Sequence, residues 1–515
     1  MAVPYQLGIG VRLLSLVTMT LTGTTLWATD YFLTIGGGYN PTGNQASLEA
    51  NVLFFQQILV DKHRGDRSHD VYFADGDDAG VDLQVLASKT ARPNQPATDL
   101  LAALHRRRGE QQLEYRNHRV PKIAGPLDPS LIKSRLEKLA KSAQAGDRVI
   151  VYVTAHGSEG RKEDPYNTTI DCWNEKRVTA REFTRWLDGL PSAVPVVMVM
   201  AQCYCGGFGN TIFTGFDPSK GLTDHPRAGF FAQQHNLPAA GCRPDIDNDE
   251  EFSSYFWGAL AGRTRTGVPV TDCDVNHDGV ISFAEAFAFA VIDSPTIDIP
   301  IRTSDVLLRN YSRLASDGKP DPDKPADALV PEPSLAKLVR LSGTLQSFVD
   351  RGRPVSGRIV KGLSNHLGFS LHDDAASVIK AYNEHRRNQR RPNQGRRRNG
   401  SGRRELLAEI AAKWPELGDE KQWQKSPLLR DDNQAQLLTE LQELPGWKTY
   451  EQRRAQAEEA AALPVRHELR EVKFRRLVST LESIALEQNL SLLATPDIVD
   501  RYQQMIRLEE SPLNK

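Results

Sequence analysis

Two short stretches constrain this chain more than any other part of it. One is RVIVYVTA, ending at Ala155, and the other is VPVVMVM, ending at Met200. Each is a continuous apolar run rich in β-branched residues and too short for a buried helix. Such runs mark strands covered on both faces, which occur chiefly in parallel sheets sandwiched by helices. The segments around them fit. YFLTIGG (31–37) and DVYFADG (70–76) have strand character, while residues 45–59 place Leu48, Val52, Phe55, Ile58 and Leu59 at helical spacing. LIKSRLEKLAKSA (131–143) and REFTRWLDGL (181–190) are further helical segments. Strands alternating with helices predict an α/β domain with a mainly parallel sheet.

The alternation stops near Leu314. Residues 315–334 contain five prolines and no helical or strand period, which predicts a linker. Residues 335–515 are helix-forming but are interrupted at 386–404 by RRNQRRPNQGRRRNGSGRR. That run has no acidic residue and almost nothing apolar to bury, so it is expected to be a flexible segment. At 515 residues the chain is long enough for two to four domains at roughly 150 residues each. Its 64 basic and 65 acidic residues exclude a uniformly basic nucleic-acid binder. Five cysteines are too few for a disulfide scaffold. Arg12 followed by LLSLVTMTLTGTTLWA has the form of a signal peptide over residues 1–28, the alternative being an uncleaved anchor or a buried first helix. A secreted or periplasmic protein with no transmembrane span after cleavage is the expectation.

The two strands end in chemically loaded sequences, Ala155-His156-Gly157-Ser158 and Ala201-Gln202-Cys203-Tyr204-Cys205-Gly206-Gly207. In an open parallel sheet, ligands bind beyond the carboxyl ends of the strands, so both should emerge at one rim. A free thiol titrates near 8.5 and needs a base to react at neutral pH. His156 on a neighbouring strand end would supply that base, and could then protonate a leaving amine. Gly157 has no Cβ, so its N–H can approach a substrate carbonyl as part of an oxyanion hole. Taken singly, a cysteine or a histidine at a strand end is more often a packing residue than a catalyst.

On VIVYVTAHGS, on NTTIDCWNEKRVTAREFTRWLDGLP and on MAQCYCGGF, residues 30–314 resemble the caspase-like superfamily of cysteine peptidases, which includes legumains, metacaspases and bacterial members. The resemblance implies a caspase-like three-layer α/β/α domain. It also implies Cys203 as nucleophile, His156 as base, and the amides of Gly157 and Cys203 as the oxyanion hole. The His-to-Cys separation is close to the roughly 50 residues of caspases. Cys205 stands where the family often has Ser, which leaves open whether Cys205 replaces Cys203. A protein or peptide substrate is implied.

A second pattern, from Asp274 to Glu285, matches the twelve-residue EF-hand calcium loop position by position. Asp274, Asn276 and Asp278 offer side-chain oxygens, and Gly279 allows the sharp turn. Val280 offers its carbonyl, Ser282 a water contact and Glu285 a bidentate carboxylate. The preceding TGVPVTDC is not helical, so this is half an EF-hand, and a Ca²⁺ site is expected. Residues 245–252 (DIDNDEEF) form a weaker acidic cluster, either a pocket for a basic substrate residue or a solvated loop or second metal contact. Asp75 and Asp171 are acidic residues without an evident role.

The Arg-rich run lacks interleaved aromatics, so no specific nucleic-acid partner is expected. It is a possible self-processing site, the alternative being a solvated linker. Pairing among Cys172, Cys205, Cys242 and Cys273 is open. The expectation is therefore an exported, calcium-binding cysteine endopeptidase with a helical C-terminal region. Its alternatives are a catalytically inactive, calcium-dependent binding or scaffold protein of the same fold, and a polyanion binder acting through 386–404.

Overall fold

The computed structural model describes residues 28–86, 95–105, 113–241, 251–315, 338–389 and 401–513. The signal-type segment to residue 27, residues 245–250, the proline-rich stretch from 316 and residues 390–400 of the Arg-rich run lie outside them.

In chain order the first part contains β1 (Asp30–Gly37), α1 (Ala46–Lys62), β2 (Arg67–Phe73), β3 (Leu83–Leu86), α2 (Pro96–His105), β4 (Leu113–Arg116), α3 (Pro129–Ser142) and β5 (Arg148–Ala155). Next come β6 (Thr169–Asp171), β7 (Arg177–Thr179), α4 (Ala180–Leu187), β8 (Val196–Met200) and β9 (Arg227–Phe231). After these follow α5 (Phe252–Ala261), α6 (Phe283–Asp293), β10 (Ile301–Arg302) and α7 (Thr303–Tyr311). The six-stranded sheet has the order β10-β9-β8-β5-β1-β2. Every pairing in it is parallel except β10 against β9. The α/β class with a mainly parallel sheet is thus the architecture of this part of the chain.

All eight residues of β5 and all five of β8 are buried, as their unbroken apolar sequences require. Neighbouring strand residues face opposite layers. Phe32 meets Phe55 of α1, while Tyr31 lies under Arg135 of α3. Phe55, Tyr152 and Trp257 close one layer, with ring centroids 4.4–5.2 Å apart. Leu136, Leu139, Phe183 and Leu187 of α3 and α4 close the other. Helix starts follow local chemistry. Asp128 caps α3 with Pro129 in its first turn, and Thr179 and Glu182 form a capping box on α4.

The C-terminal part consists of α8 (Leu345–Arg351), α9 (Pro354–Leu367), α10 (Ala375–Gln389), α11 (Ser401–Lys413), α12 (Gln434–Gln442), α13 (Trp447–Leu493) and α14 (Pro496–Glu509). These helices share the sheet's hydrophobic core: Leu345, Ile359, Leu363, Phe474, Leu481 and Leu513 belong to the same buried cluster as β5 and β8. Leu406, Ile410, Leu437 and Leu441 pack instead on Ala97, Leu101 and Leu104 of α2. Buried charges bind the last residues to the sheet. Arg148, 2% exposed, pairs with Asp30 and donates to the carbonyls of Pro512 and Leu513. Glu509, fully buried, accepts from Thr303 and Ser304.

Candidate active site at the carboxyl rim of the sheet

β5 and β8 are adjacent and parallel, with Val153 opposite Met200. His156 and Cys203 each follow three residues later, so the register alone delivers both to one rim. The strand ends are pressed together at Gly157. A Cβ there would lie 2.4 Å from the Cys203 carbonyl oxygen, 2.8 Å from that of Thr169 and 2.9 Å from Cγ of Gln202. Only glycine fits without shifting backbone.

Nε2 of His156 lies 2.7 Å from the Gly43 carbonyl oxygen and 2.9 Å from Oε1 of Gln45. A carbonyl can only accept, so Nε2 carries the proton and donates it, leaving the neutral ring's lone pair on Nδ1. Tyr39 meets the ring edge-on at 5.2 Å. The loop bearing Gly43 is itself tied down. Asn44 accepts from Gly38 N–H and donates to the backbone and carboxylate of Asp82. From the other side, the Asp171 N–H donates to the His156 carbonyl. The Asp171 carboxylate accepts from Ser158 and Thr169 hydroxyls at 2.7 Å each.

The Cys203 thiol is not hydrogen-bonded to His156. Its sulfur accepts from the Ala239 N–H at 3.3 Å and lies 3.8 Å from the Ala239 carbonyl oxygen. Burial pushes this thiol above its ordinary pKa; the Ala239 N–H pulls it down and the Asp298 charge adds to the rise. Burial also lowers the pKa of His156, against the opposing pull of Gly43 and Asp171. At neutral pH these shifts favour a neutral thiol and a neutral imidazole at this rim. Cys205 is fully buried, its sulfur held at 3.2 Å from the Gln233 N–H, and burial raises its pKa strongly. Cys203 is the partly exposed thiol of the two. Cys172, Cys203, Cys205 and Cys273 are all free thiols.

The EF-hand-type loop lies between α5 and α6. Asp274 accepts from the N–H groups of Asp278 and Gly279, Asn276 from Asp278, and Asp278 from Val280. Gly279 turns with φ +84°, and no helix precedes the loop after Ala261. Its donors are all oxygens, a set suited to a hard cation. Glu285, however, is buried and engaged: one oxygen accepts from Val275 and Asn276 N–H, the other from the N–H and hydroxyl of Ser282. This is the capping box of α6. Holding an ion through Glu285 requires it to release the Val275 and Asn276 amides.

Among the described residues, the group of three potential ligands converging within 4.8 Å lies elsewhere, at Asp75, Asp82 and His118. Both ring nitrogens of His118 are already used, Nε2 donating to the Gly76 carbonyl and Nδ1 accepting from Val120 N–H. Of the acidic stretch 245–252, Glu251 turns inward to Arg265, at 3.6 Å. Arg386, at the edge of the Arg-rich run, lies on α10 against Glu471 and the Tyr382 ring. No helix among the described residues is long and apolar enough to cross a membrane.

Gly43, Ala239 and Asp298 surround the dyad without any motif to announce them. Asp171 is visible in the sequence as an acidic residue, but only the His156–Asp171 backbone pairing gives it a place.

No protein-family model matches the chain, and no curated protein matches it significantly in sequence. Among matching solved structures is the crystal structure of protein GSU0716 from Geobacter sulfurreducens, 11% identical, with a TM-score of 0.29 over 57% of this chain and 95% of that one.

Proposed function

We propose that this protein is a cysteine endopeptidase of caspase-like fold. The observation that supports it is the register of β5 and β8, which sets His156 and Cys203 at one rim with Gly157 wedged between the strand ends. Nδ1 of His156 takes the thiol proton as the Cys203 sulfur attacks a peptide carbonyl carbon. The amides of Gly157 and Cys203 receive the oxyanion. His156 then returns the proton to the departing amine; water, deprotonated by the same nitrogen, attacks the acyl carbon, and that proton passes to the Cys203 sulfur as the C–S bond breaks. Two neutral partners suit this sequence, because the proton moves only as the bond forms.

In the same reading Ca²⁺ would be held by oxygens of Asp274, Asn276, Asp278 and Val280, and by Glu285 once it released the Val275 and Asn276 amides, with Ser282 through water, and would supply rigidity to the loop rather than chemistry. The substrate is a protein or peptide, self-processing within 386–404 is included, and the signal-type sequence directs the protein outside the cytoplasm. A second reading, a binding or scaffold protein that has lost cleavage, is favoured by one observation: the thiol is bonded to Ala239 and not to His156.

A fluorogenic panel with Arg, Lys, Asp or Asn before the cleaved bond separates the two. It is run with calcium and with chelator, on wild type and on Cys203→Ala. Turnover that vanishes in Cys203→Ala is the expected result. A folded protein without turnover on any peptide leaves the binding reading.

A further inference from the structure

The Arg476 side chain, on α13 in the C-terminal part of the chain, is 2% exposed and uses all its N–H donors. Nε donates to the Asp298 carbonyl at 2.8 Å, and Nη1 to those of Val291 and Ser294 at 2.8 and 3.1 Å. Nη2 donates to the carbonyl and hydroxyl of Thr296 at 3.1 and 2.9 Å. One guanidinium thus shapes the whole turn between α6 and β10. That turn carries Asp298, which is fully buried and accepts the Ala240 N–H on Oδ1 at 2.7 Å. Its Oδ2 is buried with no hydrogen-bond partner. The preceding N–H, of Ala239, is the one that reaches the Cys203 sulfur. Gln233 fastens the same two segments a second time, accepting from Ile299 N–H at 3.2 Å and donating to the Pro238 carbonyl at 3.1 Å.

We propose that Arg476 and Asp298 are positioning residues for the nucleophile: through the 291–298 turn they hold the Ala239 N–H against the Cys203 sulfur. This deepens the peptidase reading and rests on it for its purpose, but not for its test. The logic is that of a donor aimed at a forming anion. A backbone N–H fixed 3.3 Å from sulfur stabilises thiolate over thiol. A buried carboxylate nearby does the reverse by charge, and because burial raises the pKa of Asp298 to about 7, this opposing effect sets in only towards alkaline pH. The charged groups facing Cys203 are Asp298 and Asp171, with His156 across the rim; those facing Asp298 are Arg476 and Glu251. Asp298 therefore has two separable effects on the sulfur, an anchoring one through Oδ1 and an opposing electrostatic one.

The test is the rate of Cys203 alkylation by iodoacetamide from pH 5 to 9 on the full chain, resolved from Cys205 by peptide fragmentation. Asp298→Asn and Asp298→Ala remove the same charge, and only Asn keeps an acceptor for Ala240. The expected result at pH 7 is alkylation about tenfold slower in Ala than in Asn, the worth of one hydrogen bond to a charged group. The Ala profile should also be displaced to higher pH. Arg476→Gln should follow Ala, with Arg476→Lys recovering part of the loss. Equal rates in Asn and Ala at similar melting temperatures would overturn the proposal, as would faster alkylation in Arg476→Gln, which would make Ala239 a cover. If the alkylation pattern holds but no peptide is cleaved, the positioning stands and the peptidase reading falls.

Discussion

At Gly157 a single hydrogen stands where any other residue would place a carbon 2.4 Å from the Cys203 backbone oxygen. Gly157→Ala must therefore push β5 and β8 apart at the rim. Overpacking of this kind costs about 1–3 kcal/mol, and here the strain falls on the two residues of the dyad. Thermal melts should show that loss, and Cys203 alkylation in the same variant should change as well. A Gly157→Ala protein with native stability and native thiol reactivity would mean that the rim is loose enough to take a Cβ at this position. His69 allows a different experiment, away from the dyad. It stands on β2, 2.8 Å from the Thr34 hydroxyl of β1, and burial lowers its pKa from 6.5 to about 4. The unfolded chain then takes up the proton first. This contribution to stability is complete above pH 6.5 and is lost as pH falls towards 4, by about 3 kcal/mol at most. Urea unfolding across that window should lose stability less steeply in His69→Gln than in wild type. The lowered His156 acts in the same direction on activity: the acid limb of kcat/KM should fall below pH 6.5, and a limb above it would exclude His156 as the base.

The elements differ in how openly the sequence declares them. β5 and β8 are legible because burial on both faces demands unbroken apolar runs, and the placing of His156 and Cys203 at one rim is legible because both follow adjacent parallel strands. The calcium-type loop is legible as a register of oxygens. What the register does not contain is the part Glu285 plays in the structure, where its oxygens cap α6 and hold the Val275 and Asn276 amides. Local sequence cannot tell a ligand from a cap, because the same carboxylate suits either. The observed cap and the proposed ligand role are separable by substitution. Glu285→Gln keeps one accepting oxygen but sets an NH2 where the other accepts, so without calcium it should cost about 1–3 kcal/mol, more than the roughly 1 kcal/mol of Ser282→Ala, which removes the cap. Calcium should raise the melting temperature of wild type and not of Glu285→Gln. If calcium stabilises neither protein, the loop is a turn held by its own hydrogen bonds.

At the scale of the molecule, a proline-rich stretch at 315–334 followed by helix-forming sequence suggests two bodies joined by a linker. The packing is closer than that. Arg476, Glu509 and the carbonyls of Pro512 and Leu513 all make buried contacts with the α/β part, at points scattered from the 291–298 turn to Arg148. None of these partners is close in sequence to what it holds, which is why periodicity and composition do not reveal them. Hydrogen bonds to a buried charge are worth about 1.5–3 kcal/mol each, and a chain ending at residue 337 would strip Arg148 of its two carbonyl acceptors and leave the 291–298 turn without its guanidinium. The apolar faces of α6 and α7 would be exposed at the same time. Such a truncation should fail to give a cooperative unfolding transition, whereas the full chain should unfold its sheet and α13 together. Calorimetry of the full chain, with hydrogen exchange on β5 and α13, checks this directly. Two well-separated transitions, with α13 exchanging before β5, would make the helical part an independent body. A single transition would mean that the candidate nucleophile is held in place by residues on both sides of the proline-rich stretch.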